Sequence, residues 1–131
     1  MKIESPILNV SELATEELVE NTIGGLTFGP DNFAVLSKSE MSFIQCLNTE
    51  KGFIVQFQEE SIDKHYEFIA YLSKSKTIAL FQAYLSKSQK WQGSLEYTRV
   101  NLRGFWGGLG YTLGRFMGRF YHGVNNARNK T

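Results

Sequence analysis

The chain has 131 residues with 42% hydrophobic and 21% charged residues, the proportions of one ordinary globular domain, and this excludes collagen-like, disordered and disulfide-rich classes. A chain of this size buries roughly two thirds of its unfolded surface, enough for one hydrophobic core without staples. The net charge of +1 conceals a division. Residues 1–98 hold all 13 acids and 8 of the 14 bases, a net of −5, whereas residues 99–131 hold 6 bases and no acid. The second stretch also takes 7 of the 12 glycines, so the composition predicts a boundary between an α+β core over 1–98 and a basic, glycine- and aromatic-rich segment over 99–131.

A single cysteine, Cys46, allows no internal disulfide, and the opening Met1-Lys2-Ile3-Glu4-Ser5-Pro6 lacks the apolar run of a secretory leader. With no 18-residue apolar stretch to span a bilayer, the expected compartment is the cytoplasm.

Asn9 or Ser11 is placed to cap a first helix over residues 11–22, with Glu12, Glu16 and Glu17 at the positive end of its dipole and Gly24-Gly25 to stop it. Val10, Ala14 and Leu18 would form its narrow buried stripe, turning Glu16, Glu17 and Glu20 to solvent. Four strand-like runs follow at 33–36, 42–47, 53–58 and 65–70, with gaps suited to antiparallel connections and too short for crossover helices. Period two is cleanest over 53–58: Phe53, Val55 and Phe57 share one face, and Ile54, Gln56 and Gln58 share the other. The same alternation in the next strand turns Tyr66, Phe68 and Ala70 inward and sets His65 and Glu67 beside the glutamines, which predicts a solvated polar sheet face.

Ser73 or Ser75 then caps a second helix, Lys76–Leu85, whose Ile78, Phe81, Tyr84 and Leu85 recur at the spacing needed to pack across the other sheet face. Trp91 falls in a short polar connection, and residues 95–100 read as a fifth strand or an extended tether. The expected fold is therefore α+β: an antiparallel sheet of four to five strands, an N-terminal helix, a second helix on one sheet face, and a C-terminal amphipathic helix. Leu-Ser-Lys-Ser occurs at Leu36, Leu72 and Leu85, but spacings of 36 and 13 residues fit no repeat unit; each copy falls where an element begins or ends.

In the C-terminal segment Leu102, Phe105, Trp106, Leu109, Leu113, Phe116, Met117 and Phe120 project to one helical face, opposite Thr112, Arg115 and Arg119. Gly110, Gly114 and Gly118 form a stripe beside it, each costing about 1 kcal/mol relative to alanine in a helix, an expense that close approach of another backbone would offset. Trp106, Gly110, Gly114, Arg115, Gly118 and Arg119 are accordingly the candidates for self-association as a homodimer or for peripheral contact with a membrane, the inner membrane included. Arg115 and Arg119 argue against a spanning helix.

The chemistry on offer is sparse. Gly108-Leu-Gly110-Tyr-Thr-Leu-Gly114 has one residue too many for a dinucleotide loop and no βαβ unit around it. Two histidines and one cysteine make no metal cluster, and no cofactor is expected. Cys46 with His65 is the one conceivable thiolate–imidazole pair, but Cys46 stands in an apolar strand where a small hydrophobe is the usual role. Glu59, Glu60, Asp63 and Glu67 suit a solvated rim better than paired acid–base catalysis. Nucleic acid is not the expected partner, since an acidic body would repel it and no reader motif is present. Acids gathered at one sheet face favour a basic protein steered in by opposite charge.

The stretch Gly29-Pro30-Asp31-Asn32-Phe33-Ala34-Val35-Leu36, then Gly52-Phe53-Ile54-Val55-Gln56-Phe57, Lys64-His65-Tyr66 and Phe81-Gln82-Ala83-Tyr84 with Trp91, resembles the small α+β immunity proteins of bacterial polymorphic-toxin and contact-dependent systems over residues 10–92. The resemblance implies cytoplasmic residence, no catalysis and tight binding to a cognate toxin. The expected function is thus a noncatalytic binding protein that takes its partner through Gln56, Gln58, Glu60, Asp63, His65 and Glu67. The alternative is a peripheral membrane or assembly factor anchored by residues 102–122. A third, a small enzyme, rests on Cys46 and His65 alone.

Overall fold

A computed structural model describes residues 1–8 and 11–102. The chain opens on two short strands, β1 (Lys2–Glu4) and β2 (Glu12–Leu13), and enters helix α1 (Glu16–Gly24). A meander of β3 (Phe33–Ser39), β4 (Ser42–Thr49), β5 (Gly52–Gln58) and β6 (His65–Phe68) follows, and then helix α2 (Lys74–Leu85) and strand β7 (Tyr97–Arg99). The strands form one antiparallel sheet in the order β2-β1-β3-β4-β5-β6-β7.

The α+β class, the antiparallel meander and the two helices agree with the expectation, but the sheet has seven strands rather than four or five. Residues 2–4 and 12–13 are too short to show an alternation, and β1 becomes a strand by pairing Ile3 with Leu36 on β3, 33 positions along the chain. The first helix begins at Glu16, not residue 11. Thr15, with extended backbone, accepts from the Leu18 amide at 3.1 Å through its Oγ1 and so supplies the cap assigned to Asn9 or Ser11. The buried helical stripe moves with it to Val19, Thr22 and Ile23, with Ala14 and Leu18 only partly covered, while Glu16, Glu17 and Glu20 are exposed as expected. Ser73 caps α2 through Lys76 N, so that helix starts at Lys74, two residues early. Residues 97–99 resolve the strand-or-tether alternative in favour of a strand, paired to β6. The C-terminal helix expected within 99–131 lies outside the described residues, as does Val10.

Residues Met1–Val100 make one compact unit. Both helices pack on one face of the sheet. That face carries Ile3, Ala34, Leu36, Ile44, Cys46, Phe53, Val55, Phe57 and Phe68, and the helices answer with Val19, Ile23, Leu80, Phe81 and Tyr84, all buried. Phe57 is the aromatic hub, its ring 5.0 Å from Tyr66, 4.9 Å from Trp91 and 5.1 Å from Tyr97. Trp91 lies in the polar connection between α2 and β7, as expected, but turns its ring onto the core edge, where it also meets Tyr84 edge-on at 5.1 Å. A two-residue turn joins β4 to β5 at Thr49–Gly52, where Thr49 Oγ1 donates to the Gly52 carbonyl at 2.7 Å and accepts from Lys51 N at 3.2 Å. Gly52 adopts φ +126°, which L side chains rarely adopt.

Candidate functional site

The register fixes what shares the sheet face opposite the helices. Val35 pairs with Gln45, Gln45 with Gln56, and Gln56 with Glu67; one step along, Phe43 pairs with Gln58 and Gln58 with His65. The predicted grouping of Gln56, Gln58, His65 and Glu67 is therefore present. Its predicted solvation is not: Gln45, Gln56 and His65 are 0% exposed and Gln58 is 1% exposed, with Val35 and Phe43 equally buried beside them. The physical reason such polar groups tolerate burial is that most of their donors find acceptors within the group or on the adjoining backbone. Gln45 Nε2 donates to Gln56 Oε1 at 3.0 Å, Gln56 Nε2 to Glu67 Oε1 at 3.3 Å, and Gln58 Nε2 to the Met41 carbonyl at 3.1 Å. His65 stands between the two amides, Nδ1 at 3.1 Å from Gln58 Oε1 and Nε2 at 3.1 Å from Gln56 Oε1. Phe43 tilts against the same ring at 6.2 Å.

Burial governs the ionisation here. It draws His65 from 6.5 down to about 4. It pushes the half-buried Glu67 above the usual carboxylate value, against the smaller opposing effect of the Gln56 hydrogen bond.

Glu60 and Asp63 separate from this group and stand exposed in the turn between β5 and β6, beside exposed Glu59. The turn is held firmly. Glu59 N donates to the Lys64 carbonyl at 3.0 Å, Ser61 N to the Glu59 carbonyl at 2.8 Å, and Arg99 Nε reaches the Asp63 carbonyl at 2.8 Å from the neighbouring strand. Glu60 donates its amide to Ser42 Oγ at 3.0 Å and has φ 67°, a left-handed conformation costing a non-glycine residue roughly 1–2 kcal/mol. Its carboxylate reaches Lys64 Nζ only at 3.9 Å, a surface pair of little energetic weight.

Cys46 lies on the helix-covered face, opposite Val55 and Ala34, while His65 belongs to the other. The sheet thus separates the two, and burial raises the thiol far above its normal range. The thiolate–imidazole pair considered from the sequence is not formed. Among the described residues no group of three His, Cys, Asp or Glu is placed to hold a metal, and no helix is long and apolar enough to cross a membrane. Trp106, Gly110, Gly114, Arg115, Gly118 and Arg119 lie outside the described residues.

Sequence reasoning missed Gln45. Its signal was available: a lone amide in the apolar run 42–47, which falls opposite Gln56 once the tight 49–52 turn sets the register. It also missed a surface cleft of about 530 Å³ at the other end of the sheet, floored by Leu26, Phe53 and Leu72, walled by exposed Phe28 and rimmed by Lys51 and Lys74. Asn32 shapes its loop, accepting from Thr27 N at 2.9 Å and donating to the Phe28 carbonyl at 2.9 Å. No protein family matches the chain, and neither curated proteins nor solved structures gave a match.

Proposed function

We propose that this chain is a noncatalytic binding protein of the immunity class, which neutralises a cognate bacterial toxin in the cytoplasm by direct contact with a basic surface of it. The observation that carries the reading is the acidic turn. Glu59, Glu60 and Asp63 are exposed together on a segment fixed at both ends by backbone hydrogen bonds and held at Glu60 in a strained conformation. Strain retained in an exposed, pre-ordered segment is characteristic of recognition sites, because a rigid segment loses little entropy on binding. The clustered carboxylates of this segment, within a stretch 1–98 that is itself net acidic, give it a local negative field that favours approach of a cationic partner. Gln56, Gln58 and His65, being buried, contribute support from behind and not contact.

The test begins with the full chain immobilised in a lysate of its native host and continues with the purified partner. The expected partner is a basic polypeptide that arrests growth when expressed alone and ceases to do so when the chain is coexpressed. Glu59→Lys with Glu60→Lys should weaken the complex at least tenfold, roughly 1.4 kcal/mol, with unchanged circular dichroism and thermal midpoint. A nontoxic partner, or equal affinity for the charge-reversed variant, refutes the reading.

A further inference from the structure

Each of the two amides flanking His65 is oriented by a group on its far side. Gln58 Nε2 faces the Met41 carbonyl, which can only accept, so Gln58 presents Oε1 to His65 Nδ1, and that nitrogen carries a proton. Gln56 Nε2 faces Glu67 Oε1. While Glu67 is ionised it too can only accept, so Gln56 presents Oε1 to His65 Nε2. An ionised Glu67 therefore demands a proton on both ring nitrogens, an imidazolium, at a residue with 0% exposure. A protonated Glu67 removes the conflict. Its O–H donates to Gln56 Oε1, the amide turns over, and Gln56 Nε2 donates to the bare Nε2 of a neutral ring. Gln45, which donates to Gln56 Oε1 in the first arrangement, then has to turn its own amide to present an oxygen.

We propose that His65, Gln56 and Glu67 hold one proton as a unit, and that it resides on the Glu67 carboxyl with the Gln56 amide turned over and His65 neutral as the Nδ1–H tautomer. The balance is internal. Relative to the imidazolium–carboxylate arrangement, a proton leaves His65 Nε2 and arrives on a Glu67 carboxyl oxygen, and the net charge is unchanged. Burial favours the neutral pair on both sides, lowering His65 and raising Glu67. When the unit loses its proton at higher pH, one ring nitrogen faces an amide oxygen with no hydrogen between them, and this repulsion holds the proton on Glu67 beyond its ordinary range.

Among the described residues Glu67 is the charged group on this face next to His65. Strand β5 offers Gln56 and Gln58, β4 offers Phe43 and Gln45, and β7 sets Thr98 opposite Glu67 while turning Arg99 to the other face. The adjoining turn adds Glu59, Glu60, Asp63 and Lys64 at the rim. The unit thus makes Glu67 a carboxyl whose charge switches with pH at the edge of the acidic turn.

Nuclear magnetic resonance of the full labelled chain tests this. The expected result is a single transition shared by the Glu67 side-chain carboxyl carbon, the Gln56 amide and the His65 Nε2 nitrogen, with its midpoint shifted above the ordinary carboxylate value of 4.5. Throughout it the His65 ring stays neutral with Nδ1 protonated. Glu67→Gln, which supplies a permanent donor, should abolish the transition and leave the ring in the same tautomer. An imidazolium beside an ionised Glu67 overturns the proposal, as does a Glu67 midpoint at 4.5 without response from Gln56. The unsubstituted chain alone decides between these outcomes if Glu67→Gln fails to fold.

Discussion

Replacing Gln56 with leucine leaves a branched apolar side chain one atom shorter and removes the node of the buried network. The Gln56 amide lies 3.0 Å from Gln45 Nε2, 3.1 Å from His65 Nε2 and 3.3 Å from Glu67 Oε1, within hydrogen-bond reach of all three. Glu67 is half-buried and regains water, so its lost bond counts for little. Gln45 and His65 are 0% exposed, and each polar group that loses its partner there costs about 1–3 kcal/mol. Leucine returns part of this through its greater apolar surface. The expected net loss is about 2–4 kcal/mol, a substantial share of the roughly 5–15 kcal/mol that stabilises a domain of this kind. Urea unfolding followed by far-ultraviolet circular dichroism measures it, with a lowered midpoint at constant slope. Gln89→Leu, at an exposed position, controls for the gain in hydrophobicity and should change stability by less than about 0.5 kcal/mol. Adding His65→Phe to Gln56→Leu should cost less than His65→Phe alone, because the partner it abandons is already gone. A Gln56→Leu chain as stable as the parent would refute the view that these amides hold one another in place.

Thr15→Ala should destabilise the chain by about 1 kcal/mol by removing the acceptor for Leu18 N, and Ser11→Ala should leave thermal unfolding unchanged; the reverse order would return the helix start to residue 11. Gly24→Ala, whose added carbon meets nothing within 4 Å, should raise stability by up to about 1 kcal/mol. Gly52→Ala should lower it, since φ is +126° and the new carbon stands 3.1 Å from Tyr71 Cβ and 3.2 Å from the Leu72 carbonyl. Equal melting temperatures for the two variants would contradict that geometry. Because the folded His65 value lies near 4 and the ordinary one at 6.5, the stabilisation from keeping this ring neutral is present above pH 6.5 and is lost as pH falls from there to about 4, an effect of about 3 kcal/mol. Glu67, raised in the folded state, opposes it over the upper part of that range by binding its proton more readily when folded. Urea midpoints across this interval should fall more steeply for the parent than for His65→Phe, and parallel curves would refute the assignment.

The sheet was legible in the sequence wherever a strand was long enough to alternate. Phe53, Val55 and Phe57 against Gln56 and Gln58 gave the faces of β5, and the gap lengths gave the antiparallel meander. Strands β1 and β2 escaped because two or three residues carry no period; their pairing is a tertiary choice, made when Ile3 completes the row with Leu36. The helix start escaped because Ser11 and Thr15 are chemically equivalent caps, and only the pairing of Glu12 with Ile3 shows that the chain is still extended there. Of the six candidate residues, Gln56, Gln58, His65 and Glu67 share one sheet face as expected but with the amides and imidazole buried, whereas Glu60 and Asp63 stand apart, exposed in the turn. Glutamine and histidine are usually exposed, and their burial depends on mutual hydrogen bonds across three strands that a linear reading counts one residue at a time.

That misreading changes where binding must occur. A solvated face would have offered Gln56, Gln58 and His65 as direct contacts, whose loss speeds dissociation by removing short-range hydrogen bonds. Buried as they are, they leave a proposed partner to meet Glu59, Glu60 and Asp63, exposed charges in high dielectric that act over a Debye length of about 10 Å at 0.1 M salt. Charges of that kind govern the rate of encounter more than the lifetime of the complex. Reversing Glu60 should therefore slow association several-fold at low ionic strength, with a deficit that shrinks as salt is added and a dissociation rate that changes little. Stopped-flow binding of the partner at two salt concentrations separates the two. A loss confined to dissociation would move the contact back onto the amide and imidazole face, and would require that face to open before the partner could reach it.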